Sequence, residues 1–81
     1  MELKNTVDLM LSKDFKDRFK AEYYQLKDRT EKLEKMLYGY RNNTLKFKPK
    51  CSYELLDAQL SSMKTYLNIL KERAKIENIS L

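Results

Sequence analysis

The chain is expected to be all-α, a long antiparallel helical hairpin preceded by a short helix. Three observations predict this. Apolar residues recur at alternating spacings of three and four over two long stretches. Charged residues make up 36% of the 81 residues, which suits amphipathic helices. A single Gly and a single Pro leave too few turn residues for a sheet.

The elements follow in order. Val7 to Leu11, after Thr6, forms a short separate helix, with Ser12 marking a break. The first long helix, about 13–41, carries Phe15, Phe19, Tyr23, Leu26, Thr30, Leu33, Leu37 and Tyr40 at helical spacings. Ser12 and Asp14 both suit its N-cap, because a side-chain oxygen can accept a free backbone N–H of the first turn. Gly39 and the pair Asn42-Asn43 supply the stop, since both residue types tolerate left-handed dihedrals. Residues 42–51 form the connection. Its centre, Thr44 to Pro49, is read as extended chain whose Leu45 and Phe47 cover the hairpin end. The second long helix, about 52–78, has Ser52 as N-cap and a seam of Leu56, Leu60, Met63, Leu67, Leu70 and Ala74. The whole is one domain, 1–81.

A two-helix hairpin needs one stripe per helix. Leu55, Tyr66 and Ile69 lie beside the second seam, Tyr24 lies beside the first, and Val7, Met10 and Leu11 add further apolar surface. A soluble monomer rarely exposes a large contiguous apolar patch, so a homo-oligomer, at least a dimer, is expected.

Several functions are disfavoured. With no His, the usual general base and commonest metal ligand are missing. Cys51 is the only cysteine, so neither an internal disulfide nor a cysteine-based zinc site can form, and no partner base stands out for it. Carboxylates alternate with bases at pairing distances, as in Asp14 with Arg18, Asp28 with Lys32 and Glu31 with Lys35. There is no Gly-rich phosphate loop. The chain is expected not to be an enzyme and to need no cofactor. Residues 1–11 are too acidic and too briefly apolar for a signal peptide, and no run approaches a membrane span, so a cytosolic protein is expected.

Binding has more support. The net charge is +5, from 17 basic and 12 acidic residues, which favours anionic partners and equally suits a well-solvated helical surface. Arg41 to Lys50 contains Arg41, Lys46, Lys48 and Lys50 with no acid, and Phe47 sits among the lysines. That arrangement pairs phosphates with a stacking ring; the competing reading is a core plug in a solvated loop. A second basic-aromatic group comprises Lys16, Arg18, Lys20, Tyr23, Tyr24 and Lys27, in which Phe19 and Tyr23 read as core and Tyr24 as the better ligand or interface residue. Acids interleaved along this helix argue against tracking a DNA backbone, while a compact, multiply charged ligand needs only a few cations and a ring or two.

Arg18-Phe19, then Glu22-Tyr23-Tyr24-Gln25-Leu26, the helix start with Pro49, Cys51, Ser52 and Glu54, and the helix from Leu55 to Arg73 resemble a group of short phage proteins. That group includes the helical-hairpin anti-CBASS proteins, and a related hairpin occurs in an anti-Thoeris protein. The resemblance covers about residues 15–75. It implies a non-enzymatic sponge in the cytoplasm of the bacterial host, an oligomer holding a cyclic nucleotide or cyclic ADP-ribose-type signal between subunits. It places Arg18, Tyr23 or Tyr24, and Lys27 where the anti-CBASS proteins carry Arg and Tyr residues. Free N–H groups at Ser52 suit a phosphate. With the basic loop, the candidate ligand residues are Arg18, Tyr23, Tyr24, Lys27, Lys46, Phe47, Lys48 and Ser52. Two features depart from the sponge pattern and bear on which ligand is held. The His-Pro-Pro segment after Arg-Phe is replaced by continuing helix, and the Trp/Asn/Ala-rich end of the second helix by Tyr66 to Leu70. The alternatives are an adaptor docking through its apolar stripe and a weak RNA or single-stranded DNA binder using the basic loop.

Overall fold

A computed structural model of the chain describes residues 3–81, and of Leu3 and Asn5 the backbone only. The described residues hold a 3-10 turn (Leu3–Thr6), α1 (Val7–Met10), α2 (Phe15–Arg41) and α3 (Tyr53–Ile76), with no strand.

Of the two N-cap candidates before α2, Asp14 performs the capping, accepting the backbone N–H of Lys16 at 2.9 Å. Ser12 supports it from outside the helix: its Oγ accepts the Asp14 N–H at 3.0 Å and donates to Asp17 at 2.8 Å. Ser52 caps α3 by accepting the N–H of Leu55 at 3.2 Å.

Both long helices end in the same way. Asn43 and Asn78 have φ of 55° and 56°, the left-handed conformation that Asn tolerates better than most residues. After α2 the Thr44 N–H donates to the Gly39 carbonyl at 2.9 Å, and after α3 the Ile79 N–H donates to Ala74 at 2.8 Å. These are Schellman closures, and each satisfies a carbonyl that the helix end leaves open. Gly39 therefore does not act as expected. It lies inside α2 with an ordinary φ, and its missing side chain makes room for Leu45, whose Cδ2 would lie 2.9 Å from an added Cβ. Leu45 thus covers the hairpin end, while Phe47 does not and stays exposed.

The core lies along the α2–α3 seam. Phe19, Tyr23, Leu70, Ala74 and Ile79 form its main cluster, with Tyr24, Leu26 and Leu67 packed against it. Leu37 and Leu60 are buried nearer the loop. Thr30 sits in the seam without stranding its hydroxyl, which donates to the Leu26 carbonyl at 2.7 Å. Phe19 meeting Leu70 at one end and Tyr40 meeting Tyr53 at the other, with ring centroids 5.6 Å apart, make the helices antiparallel.

α1 packs on the back of α2. Ala21 and Gln25 point away from the α3 seam; Ala21 is buried there, and Gln25 Nε2 donates to Thr6 Oγ1 at 2.9 Å. Among the described residues neither α1 nor the 3-10 turn touches α3. α2 is therefore the middle layer at this end of a molecule measuring 43 × 24 × 16 Å.

Of the three anticipated ion pairs, Asp28–Lys32 forms, with Nζ 2.9 Å from Oδ2. The approach lies off hydrogen-bond geometry, so this enclosed oxygen has a charge partner but no hydrogen-bond donor. Among the described residues the other two pairs do not form. Arg18 turns instead to the backbone before α2, donating from Nη1 to the carbonyls of Ser12 at 3.1 Å and Lys13 at 2.9 Å.

Candidate functional site

The eight candidate ligand residues fall into two groups at opposite ends of the hairpin. Arg18, Tyr23, Tyr24 and Lys27 stand early in α2, beside the end of α3. Lys46, Phe47, Lys48 and Ser52 stand at the loop. About twenty intervening residues of α2 separate the groups by roughly 30 Å. Within one protomer no compact ligand touches both.

The early group does not converge. Arg18 and Lys27 are nine residues apart in one helix, about two and a half turns, so their side chains leave opposite sides of α2. Tyr23 is a core residue, its ring edge-on to Tyr24 with centroids 5.2 Å apart, and Tyr24 is half-buried against the same core. Only Lys27 of this group is exposed with no structural duty among the described residues.

The loop group is built differently. Because Leu45 folds onto the bare Cα of Gly39, the chain that follows is carried past the end of α2 and Phe47 is held at the surface, 59% exposed. Two hollows share Phe47 in their lining. One, of about 290 Å³, is lined by Gly39, Tyr40, Asn43, Leu45, Phe47, Lys48 and Pro49. The other, of about 490 Å³, is lined by Lys32, Lys35, Met36, Tyr38, Gly39, Thr44, Leu45 and Phe47. Each hollow therefore has a tyrosine and at least one lysine. A flat ring beside cations suits a ligand with an aromatic base and a phosphate. Ser52 is nearby in sequence, but its hydroxyl oxygen already takes the Leu55 N–H.

Lys35 and Tyr38 belong to this end and were not among the sequence candidates. Tyr38, 63% exposed, stands one position beyond the seam residue Leu37, as Tyr24 stands one beyond Tyr23. That offset was the available signal. Cys51 is exposed and free. Among the described residues no three His, Cys, Asp or Glu side chains gather to hold a metal ion, and no helix is long and apolar enough to cross a membrane.

Fold and site together define a small helical-hairpin protein with a basic, aromatic end. The chain belongs to the Sequestin family, whose pattern it matches over residues 13–76. That match includes the stretch of about 15–75 on which the resemblance to the phage helical-hairpin sponges rests, and it leaves α1 outside. No curated protein and no solved structure matches the chain.

Proposed function

We propose that this protein is a phage anti-defence sponge that binds a cyclic nucleotide immune signal and holds it without cleaving it. The observation that carries the reading is membership of the Sequestin family, whose name speaks of sequestration. The loop end supports it chemically: exposed Phe47 lines two hollows, one with Lys48 and the other with Lys32 and Lys35, a ring and cations suited to a base and its phosphates. Sequestration needs affinity and no reacting group, so the lack of His and of a base beside Cys51 costs the protein nothing in this role. A homo-oligomer is part of the reading, because a compact ligand enclosed between copies is shielded better than one in an open hollow.

Calorimetry against cyclic di- and trinucleotides and cyclic ADP-ribose isomers tests this. Binding is expected for at least one, with the ligand recovered chemically unaltered after the protein is denatured. Phe47→Ala should weaken it by roughly 1–3 kcal/mol, the usual loss for one stacked base. No heat with any member of the panel sinks the sponge and leaves the adaptor reading, which the exposed apolar residues of α3 favour. Binding only to random oligonucleotides, and only at low salt, replaces it with a single-strand binder.

A further inference from the structure

We infer that the larger of the two hollows sharing Phe47 is an aromatic clamp for one nucleobase, with Tyr38 as its second ring and Lys35 holding the attached phosphate. The inference takes its ligand class from the nucleotide reading above and rests on it. The hollow, of about 490 Å³, lies between α2 and the connection that follows, and each contributes one exposed ring to its lining. Tyr38 comes from α2 and is 63% exposed; Phe47 comes from the connection and is 59% exposed. Among the described residues neither packs against another ring, unlike Phe15 with Phe19, Tyr23 with Tyr24 and Tyr40 with Tyr53. The fold explains why both are spare. Tyr38 lies one position past the seam residue Leu37, and Leu45 already fills the space over Gly39 that Phe47 would otherwise take.

The smaller hollow has no such pair. Its tyrosine, Tyr40, is half-buried and set edge-on to Tyr53, with centroids 5.6 Å apart, so that ring is already in use. At about 290 Å³ it also falls at the lower limit of ligand sites, which run from roughly 300 to 1,000 Å³. A base lying between two rings on different elements gains a stacking surface on each face, which a single ring cannot offer.

Charge says where the phosphate goes. No carboxylate lines the larger hollow, whereas the neighbouring groove, which shares Lys35 and Tyr38 with it, is lined by Glu31, Glu34 and Asp57. A phosphate in the hollow therefore meets cations with no acid among the lining residues to oppose it. Of the two lysines there, Lys32 has its Nζ 2.9 Å from Asp28, while Lys35 forms no ion pair among the described residues. Lys35 stands three residues before Tyr38, so cation and ring are neighbours on the surface of α2.

Titration of the full chain with adenosine monophosphate, followed by NMR, tests the clamp. Millimolar ligand should shift the ring protons of Tyr38 and Phe47 together. Tyr38→Ala and Phe47→Ala should each weaken binding about 5- to 100-fold, the usual loss for one stacked base, with helical circular dichroism unchanged. Tyr38→Phe should bind as the wild type does. Lys35→Ala should weaken the monophosphate and leave adenosine alone, while Lys48→Ala, in the smaller hollow, should change neither. Absence of any shift, or a loss at Phe47 without one at Tyr38, overturns the clamp. A larger loss for Lys48→Ala than for Lys35→Ala also overturns it, by moving the ligand to the smaller hollow. A cyclic nucleotide whose affinity survives Tyr38→Ala would remove the clamp and leave the sponge standing. Clamp binding of the monophosphate with no response to any cyclic nucleotide would do the reverse.

Discussion

The two broad sides of the hairpin share one seam and differ in almost everything else. On one side α2 and α3 are tied by Tyr66 and Glu22, with Arg73 laid over Phe19 and exposed Leu55, Ile69 and Ile76 beyond them. On the other side the tie is an ion pair, Lys64 to Glu34. There a groove of about 590 Å³ is lined by Glu31, Glu34, Lys35, Arg41, Asp57 and Lys64 among its residues. One side is apolar with its charges paired off; the other is open and charged. Since the buried seam supplies most of the packing between the helices, each side is free to serve a different purpose.

Three substitutions probe that contrast. The largest effect is expected at the seam, where both sides depend on the same residue. Leu70 is fully buried among Phe19, Tyr23 and Ala74, so Leu70→Ala should cost about 2–5 kcal/mol, read as a fall in the urea midpoint. A loss well under 1 kcal/mol would mean that the seam is not the main source of stability.

Tyr66→Phe should cost less, roughly 0.5–1 kcal/mol, because the hydrogen bond it removes is partly wet. Its signature lies in pH. The hydrogen bond to Glu22, then burial, then the Glu22 charge raise the Tyr66 phenol above its ordinary value of 10.0. A raised folded pKa stabilises the fold below the unfolded value and loses that contribution as pH climbs through the folded one. Melting curves from pH 8 upward should show the wild type ahead of Tyr66→Phe up to about pH 10 and the gap closing above it. A gap constant through that range would assign the bond no part in stability.

The smallest effect belongs to the charged side. Lys64→Ala should cost at most about 1 kcal/mol, since both partners are about half exposed. Adding salt should erase this difference, whereas the Leu70 difference should survive it. If salt spares the Lys64 effect, the two sides are less different than their chemistry suggests.

Much of this was readable from the sequence. Both seams follow from periodicity, and Ser52 from N-cap chemistry, because each depends on residues close in the chain. Tyr24 and Ile69, read as lying beside their seams, are half-buried and exposed respectively. What escaped depends on residues meeting after the helices have formed. Ile79 looked like a tail residue, yet the left-handed Asn78 turns it back onto Ala74 and into the core. Gly39 looked like a helix stop, because nothing in its local sequence announces that Leu45 will lie against it. Lys35 was read only as a partner for Glu31, and Tyr38 went unnoticed, for the same reason, since only the folded loop brings Phe47 to them. The divergence of Arg18 and Lys27 was different. Nine residues of helix already place them on opposite sides.

α1 rests on the back of α2 and, among the described residues, never meets α3. The family match begins at Lys13, after α1 has ended. The leading segment is therefore a separable piece of architecture. Its length, charge or apolar surface can change while the packing between α2 and α3 stays as it is.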